Sequence, residues 1–170
     1  VVAPLRVSRA DGCICCILMT DHINASGLRI ITSFEGFSST PYRCPAGVAT
    51  QGFGSTRLAD GSRVKMGSPP ISEDEGKALL RQHLDHVESD IRSLIRVPLN
   101  ENEFSALCSW VFNLGSGRLQ SSTLRAKLNR NERLGAANEF PKWRRANGRI
   151  LRGLVIRREA ERRLFLTPVI

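Results

Sequence analysis

Phe34-Glu35-Gly36-Phe37-Ser38-Ser39-Thr40-Pro41-Tyr42-Arg43-Cys44-Pro45-Ala46-Gly47-Val48-Ala49-Thr50-Gln51-Gly52-Phe53-Gly54-Ser55-Thr56 is the stretch that decides the fold. A carboxylate closes an apolar helical pattern. Eight residues separate it from a thiol, five more separate the thiol from a hydroxyl, and a Gly-rich run follows. Upstream, Asn24 suits the start of a helix, because its side-chain oxygen can accept the free N–H groups of the first turn. Leu28, Ile31 and Phe34 fall on one face of that helix. Gly36 supplies a stop, so Glu35 stands at the edge of the element. Residues 41–66 read as a small β-hairpin lobe punctuated by Gly47, Gly52, Gly54 and Gly61. Ala59-Asp60-Gly61-Ser62 is its strongest turn signal, since Asp-Gly tolerates the positive φ that tight hairpins require.

Downstream the pattern turns helical. Ser72-Glu73-Asp74-Glu75 is a capping box. It opens a helix carrying Leu80, Leu84, Val87, Ile91 and Leu94 at alternating spacings of four and three, one apolar stripe lasting to about Arg96. That length suits a connector between two lobes, and Pro98 ends it. Asn100 with Glu103 forms a second capping box, and Leu99 with Phe104 a hydrophobic staple. The next helix is expected over about 101–113, shorter ones around 121–129 and 132–139, and a last one around 153–165.

The chain has 170 residues, 41% of them apolar, enough for one domain with a real core. It has no apolar run long enough for a transmembrane helix. Its net charge is +9 and its pI about 10.2. Such a field attracts polyanions such as nucleic acid, anionic lipid or acidic cell-wall polymers. Arg144, Arg145, Arg149, Arg152, Arg157, Arg158, Arg162 and Arg163 crowd the C-terminal third. Residues 1–23 read as an appended arm and 24–170 as the domain. Three of the five cysteines, Cys13, Cys15 and Cys16, lie in the arm, with Cys44 and Cys108 in the domain. Their spacing is unlike a zinc framework, so neither metal nor cofactor is expected. The apolar stretch Cys13–Met19, preceded by Arg6 and Arg9, sits at the lower edge of a signal-peptide core. An arm packed on the domain is at least as good a reading of it.

A glycosidase needs an acid to protonate the leaving oxygen and a second group to direct water or attack the anomeric carbon. Glu35 suits the acid if burial beside Phe34 and Phe37 favours its protonated form. Taken alone it is more simply a solvated helix end. Cys44 can act on water only as a thiolate, and a free thiol titrates near about 8.5. The bland alternative is a structural thiol or disulfide partner. Thr50 can hold water by its hydroxyl, or be an ordinary β-branched strand residue.

The joint spacing of the three, followed by Gly52-Phe53-Gly54, resembles the Glu–Asp/Cys–Thr triad of phage-type lysozymes, the endolysins of glycoside hydrolase family 24. The resemblance extends over about residues 24–167. It includes Phe104-Ser105-Ala106-Leu107, Phe112-Asn113-Leu114-Gly115-Ser116-Gly117, Ser122-Thr123-Leu124, Trp143, Asn147-Gly148 and Gly153-Leu154-Val155-Ile156-Arg157-Arg158-Glu159-Ala160-Glu161. It implies an α+β, two-lobed lysozyme fold, with a small β-hairpin lobe and a larger helical lobe joined by a long helix. It also implies a muramidase, of inverting type, that cleaves the β-1,4 bond between N-acetylmuramic acid and N-acetylglucosamine in peptidoglycan and lyses the host at the end of a phage cycle. By the same resemblance Glu35 is the general acid, Cys44 the water-directing group and Thr50 the water-holding hydroxyl. Arg157 or Arg158 stands near the acid.

Such a protein is expected to be a monomer that is made in the bacterial cytoplasm and acts on glycan strands in the periplasm. It would also touch the anionic envelope, and would bind no nucleic acid. The segment Pro41–Gly47 is close to secreted endolysins in which a catalytic-site Cys is masked in a disulfide until an N-terminal membrane-arrest segment is released. This chain departs from them. Phe37 occupies a place where the masking Cys can stand, and the N-terminal apolar stretch is short for an arrest segment. Two rivals remain at this point: a peptidoglycan-binding module weakened by Cys in place of Asp, and a basic nucleic-acid-binding protein. The second finds no helix-turn-helix, zinc finger or aromatic platform, and its arginines read as a solvated face balanced by Glu159 and Glu161.

Overall fold

In the computed structural model, residues 22–44 and 47–169 are described. Helix α1 (Ala25–Glu35) is followed by an antiparallel hairpin, β1 (Ser38–Arg43) and β2 (Ala49–Gly52). The long helix α2 (Glu73–Leu94) leads to α3 (Glu101–Leu114). Short helices α4 (Ser116–Gln120), α5 (Thr123–Asn129) and α6 (Arg133–Ala137) come next, then a 3-10 turn (Phe140–Lys142) and a second small hairpin, β3 (Arg145–Ala146) and β4 (Arg149–Ile150). Helix α7 (Arg152–Leu166) completes the order.

The start signals work as read. Asn24 accepts from the Gly27 N–H. Ser72/Glu75 and Asn100/Glu103 form reciprocal capping boxes, each satisfying two backbone donors that α2 and α3 would otherwise leave free. Gly36, at φ +68°, ends α1 directly after Glu35. Helix α2 stops earlier than its stripe suggests, at Leu94 rather than Arg96, and Ile95 turns extended. Sequence patterning missed α4, the 3-10 turn and the β3–β4 hairpin, all too short to show a period.

The core is built around α3. Every residue from Glu103 to Val111 is buried, so this helix is enclosed on all sides rather than half-solvated. Trp110 is fully buried and meets Trp143 edge-on, with ring centres 5.1 Å apart. Helix α2 contributes Leu80, Leu84, Val87 and Ile91, and α1 contributes Ile31. Cys108 is buried in the same core as a free thiol, and burial pushes its pKa up strongly. Ile23 is buried too, and its N–H donates to Glu88, a buried carboxylate that also meets His22 and Arg81. His22 and Ile23, the last described residues of the stretch 1–23 expected as an arm, are thus tied to Glu88, and of the two only Ile23 is buried. The rest of the arm, with Cys13, Cys15 and Cys16, lies outside the described residues.

Helix α1 is pressed onto α3 at Gly27. A methyl group there would lie 2.7 Å from Ile23 Cγ1 and 2.8 Å from Ser105 Cβ. Gly27→Ala is therefore expected to destabilise by about 1–3 kcal/mol from overpacking, with helix propensity returning up to about 1 kcal/mol. Urea unfolding checks this, and an unchanged midpoint would show that α1 can shift freely on α3.

Candidate active site

Glu35 reaches the site because the helix that carries it is stopped at that residue. The side chain keeps 23% exposure, open enough to meet a substrate. Its Oε1 accepts from Arg157 Nη1 at 2.7 Å. The same guanidinium lies over the Phe34 ring, 5.6 Å from its centre. Of the two arginines open in the sequence, Arg157 is thus the one that touches Glu35. Arg158 instead donates to Asn113 at 2.7 Å.

A buried network stands behind this pair. Glu161 Oε1 accepts from Ser109 Oγ at 2.7 Å and from Arg157 Nε at 3.3 Å. Arg157 Nη2 donates to the Ser109 carbonyl at 3.3 Å. Arg158 Nε lies 3.2 Å from Glu161 Oε2, an ion-pair distance without hydrogen-bond geometry. Burial raises the Glu161 pKa against the pull of the two arginines, and lowers that of Arg158 to about 10. These residues correct the reading of α7 as a solvated basic face: Arg157, Arg158 and Glu161 all point into the domain. Arg152 and Arg163 remain exposed.

The hairpin supplies the other wall. Gly54, at φ +87°, faces the acid, and a Cβ there would stand 3.5 Å from Glu35 Oε2. The glycine leaves that oxygen accessible. Tyr42 pairs with Thr50 across the β1–β2 ladder. Burial raises the Tyr42 pKa first, and the negative charges of Glu35 and Cys44 raise it further. Tyr42 therefore feels both candidate catalytic groups and stands opposite the third. Cys44 is partly exposed, and its backbone N–H donates to the Val48 carbonyl at 3.0 Å. Thr50 is more enclosed than an open water-holding hydroxyl suggests: it is 3% exposed and donates to the Val48 carbonyl at 3.0 Å. Gln51, fully buried, ties the hairpin down by donating to the carbonyls of Ser39 and Pro69.

Between the hairpin extension and α2 opens a cleft of about 390 Å³, lined by Thr56, Arg57, Gln82, His83 and His86 among others. His83 stacks on Phe112 with ring centres 4.6 Å apart. Burial holds its pKa below the ordinary value, with His86 adding to this and Glu35 opposing it. Tyr42, Gly54, His83 and Glu161 were not singled out as site residues by the sequence. Glu161 had the clearest signal: it follows Arg157 by four and Arg158 by three, and lies on the helix stripe that Phe165 continues.

A long helix joining a hairpin lobe to a helical lobe, with a carboxylate at the end of the first helix, is the architecture of an α+β lysozyme. The family model described as Phage lysozyme matches residues 32–161. An endolysin of Acyrthosiphon pisum secondary endosymbiont phage 1 is 38% identical over 148 residues, covering 85% of this chain and 97% of that protein. Among solved structures, an endolysin from Escherichia coli O157:H7 phage FAHEc1 superposes with a TM-score of 0.78 at 31% identity, over 85% of this chain and 93% of that one. The P1 phage endolysin Lyz has been solved in two forms. The active form superposes with a TM-score of 0.75 at 31% identity, over 85% of this chain and 84% of that one. The secreted inactive form reaches only 0.58 at 29% identity, over 85% of this chain and 96% of that one. The chain belongs to the phage lysozyme family.

Proposed function

We propose that this muramidase cuts peptidoglycan with Glu35 as general acid and a water held between Cys44 and Thr50. The observation that carries the reading is the pair Glu35–Arg157, with Glu35 Oε2 left facing Gly54. Arg157 fixes the direction of the carboxylate. The other oxygen then delivers a proton to the glycosidic oxygen as the C–O bond breaks. On the opposite face of the sugar the attacking water needs two acceptors for its hydrogens and a free lone pair toward the anomeric carbon. Thr50 spends its own proton on Val48, so its oxygen is available as one acceptor. The Cys44 thiolate is the other and takes the proton as water attacks. This route inverts the anomeric configuration. The exposed Arg144, Arg145, Arg149, Arg152 and Arg163 draw the enzyme to anionic envelope polymers. The enzyme acts as a monomer in the periplasm. The conformation nearer to the active P1 form supports a site that is assembled as described.

The reading is tested by digesting purified sacculi and identifying the new reducing ends. Muramic acid at every new end is expected, and glucosamine ends would overturn the bond assignment. Within that assay Cys44→Ala should lower turnover, whereas Cys44→Asp should retain or raise it. The gain should be largest at acidic pH, where a carboxylate is ionised and an ordinary thiol is not. If Cys44→Ala digests sacculi as fast as the parent, the thiol has no part in directing water.

A further inference from the structure

Four charged side chains are threaded together here, and their sum is zero: Glu35 and Glu161 against Arg157 and Arg158. Of the four, Glu35 is the one with appreciable exposure, at 23%, and the proposed reaction needs it protonated. In that state the internal balance changes. Arg157 loses its anionic partner at Nη1, and Glu161 becomes the one carboxylate holding both cations. We propose that Glu161 is a positioning residue for the reaction: its buried carboxylate holds Arg157 by Nε and supplies the counter-charge that lets Glu35 carry a proton while Arg157 stays in place. The inference rests on Glu35 being the acid.

The geometry shows why Glu161 can do this. The Arg157 guanidinium is divided three ways, by Nη1 to Glu35, Nη2 to the Ser109 carbonyl and Nε to Glu161. Ser109 closes the ring by donating its hydroxyl to Glu161. Glu161 and Arg158 are fully enclosed, and Arg157 is 4% exposed, so water screens none of these charges. Facing Glu161 are Arg157 and Arg158 from its own helix and Ser109 from α3. Glu35 is in contact with Arg157 and within electrostatic reach of Arg158 from α7, Tyr42 from the hairpin, and His83 from α2, with Cys44 next to Tyr42 and His86 next to His83. A neutral residue at 161 would leave two buried arginines beside a protonated Glu35 with no carboxylate between them. The chain would then favour the Glu35 carboxylate, which holds Arg157 but cannot donate a proton.

The test compares the parent with Glu161→Gln and Glu161→Asp on a soluble peptidoglycan oligosaccharide, across the pH range of activity. Thermal unfolding serves as a check on folding. For Glu161→Gln the expected result is a KM within about twofold of the parent. Its alkaline limb should move toward lower pH by about one unit, so the parent-to-variant kcat ratio climbs roughly tenfold from the acid to the alkaline side. Glu161→Asp keeps the charge and should keep the parent's pH dependence despite its shorter reach. If Glu161→Gln does not fold alone, Glu161→Met replaces it, an uncharged side chain of similar length that suits the buried position and leaves both arginines in place, with the same rising ratio expected. A ratio constant across pH would mean that Glu161 only packs, and the inference is wrong. So would a Glu161→Asp profile that follows Glu161→Gln. Glu35→Gln, measured alongside, separates the two readings: its full activity removes the acid assignment itself, whatever the Glu161 variants do.

Discussion

Glu35→Gln is expected to lower turnover about 10²–10⁴-fold, the range general acid catalysis typically supplies. The amide keeps the shape of the side chain, and its carbonyl can still accept from Arg157 Nη1 where the carboxylate accepts at 2.7 Å. Orientation and fold should therefore survive. What is lost is the transferable proton, without which the leaving sugar departs as an alkoxide. Substrate binding should change little, because the charge removed belongs to the form that does not act as the acid. The measurement is release of soluble muropeptides from purified sacculi, with thermal unfolding as a control for folding. A folded Glu35→Gln protein within a few-fold of the parent would falsify the assignment.

Much of this site is visible in the sequence because its parts are local. Glu35 is marked by Gly36, since a helix stop positions the residue before it. The hairpin is marked by its glycines and by the Asp60-Gly61 turn, where the Asp60 carboxylate accepts from the Ser62 N–H. Capping boxes name the starts of α2 and α3 from four residues each. These are contacts over three or four residues, and a one-dimensional pattern records them.

The second layer of the site joins residues far apart in the chain. Arg157 is 122 positions from Glu35 and 48 from the Ser109 carbonyl it also meets. Nothing in the composition of α7 tells an inward arginine from an outward one. The buried face of this helix carries Arg157, Arg158 and Glu161 where apolar residues would announce burial, and only Phe165 does so. An arginine count alone therefore points to surface charge, whereas the i,i+3 and i,i+4 spacing to Glu161 marks the inward pair. Tyr42 and Gly54 escaped for a related reason. Each matters through a neighbour on another element, Tyr42 through Glu35 and Cys44, Gly54 through the space it leaves beside Glu35 Oε2.

Arg157→Gln carries the largest expected loss of stability. Removing one partner from a buried ion pair typically costs about 3–5 kcal/mol, because the remaining charge stays buried without compensation. Here the loss falls on several contacts. Glu161 retains Arg158, but Glu35 loses its cation and the Ser109 carbonyl loses a donor. The Phe34 ring loses the guanidinium above it. For a protein of this size each kcal/mol lowers Tm by roughly 2–4 °C, so a fall of about 6–20 °C is expected. Activity of the folded fraction should fall as well, since Glu35 is no longer aimed. Arg157→Lys separates charge from geometry. An ammonium keeps the sign, but it is a compact point charge and cannot reproduce the planar fork that spans Glu35, Ser109 and Glu161. It should recover part of the stability and little of the turnover. If Arg157→Lys matches the parent in both, a positive charge near Glu35 is sufficient and the three-way division of the guanidinium has no consequence. If Arg157→Gln melts within a degree or two of the parent, the network behind Glu35 does not hold α7 to α1 and α3.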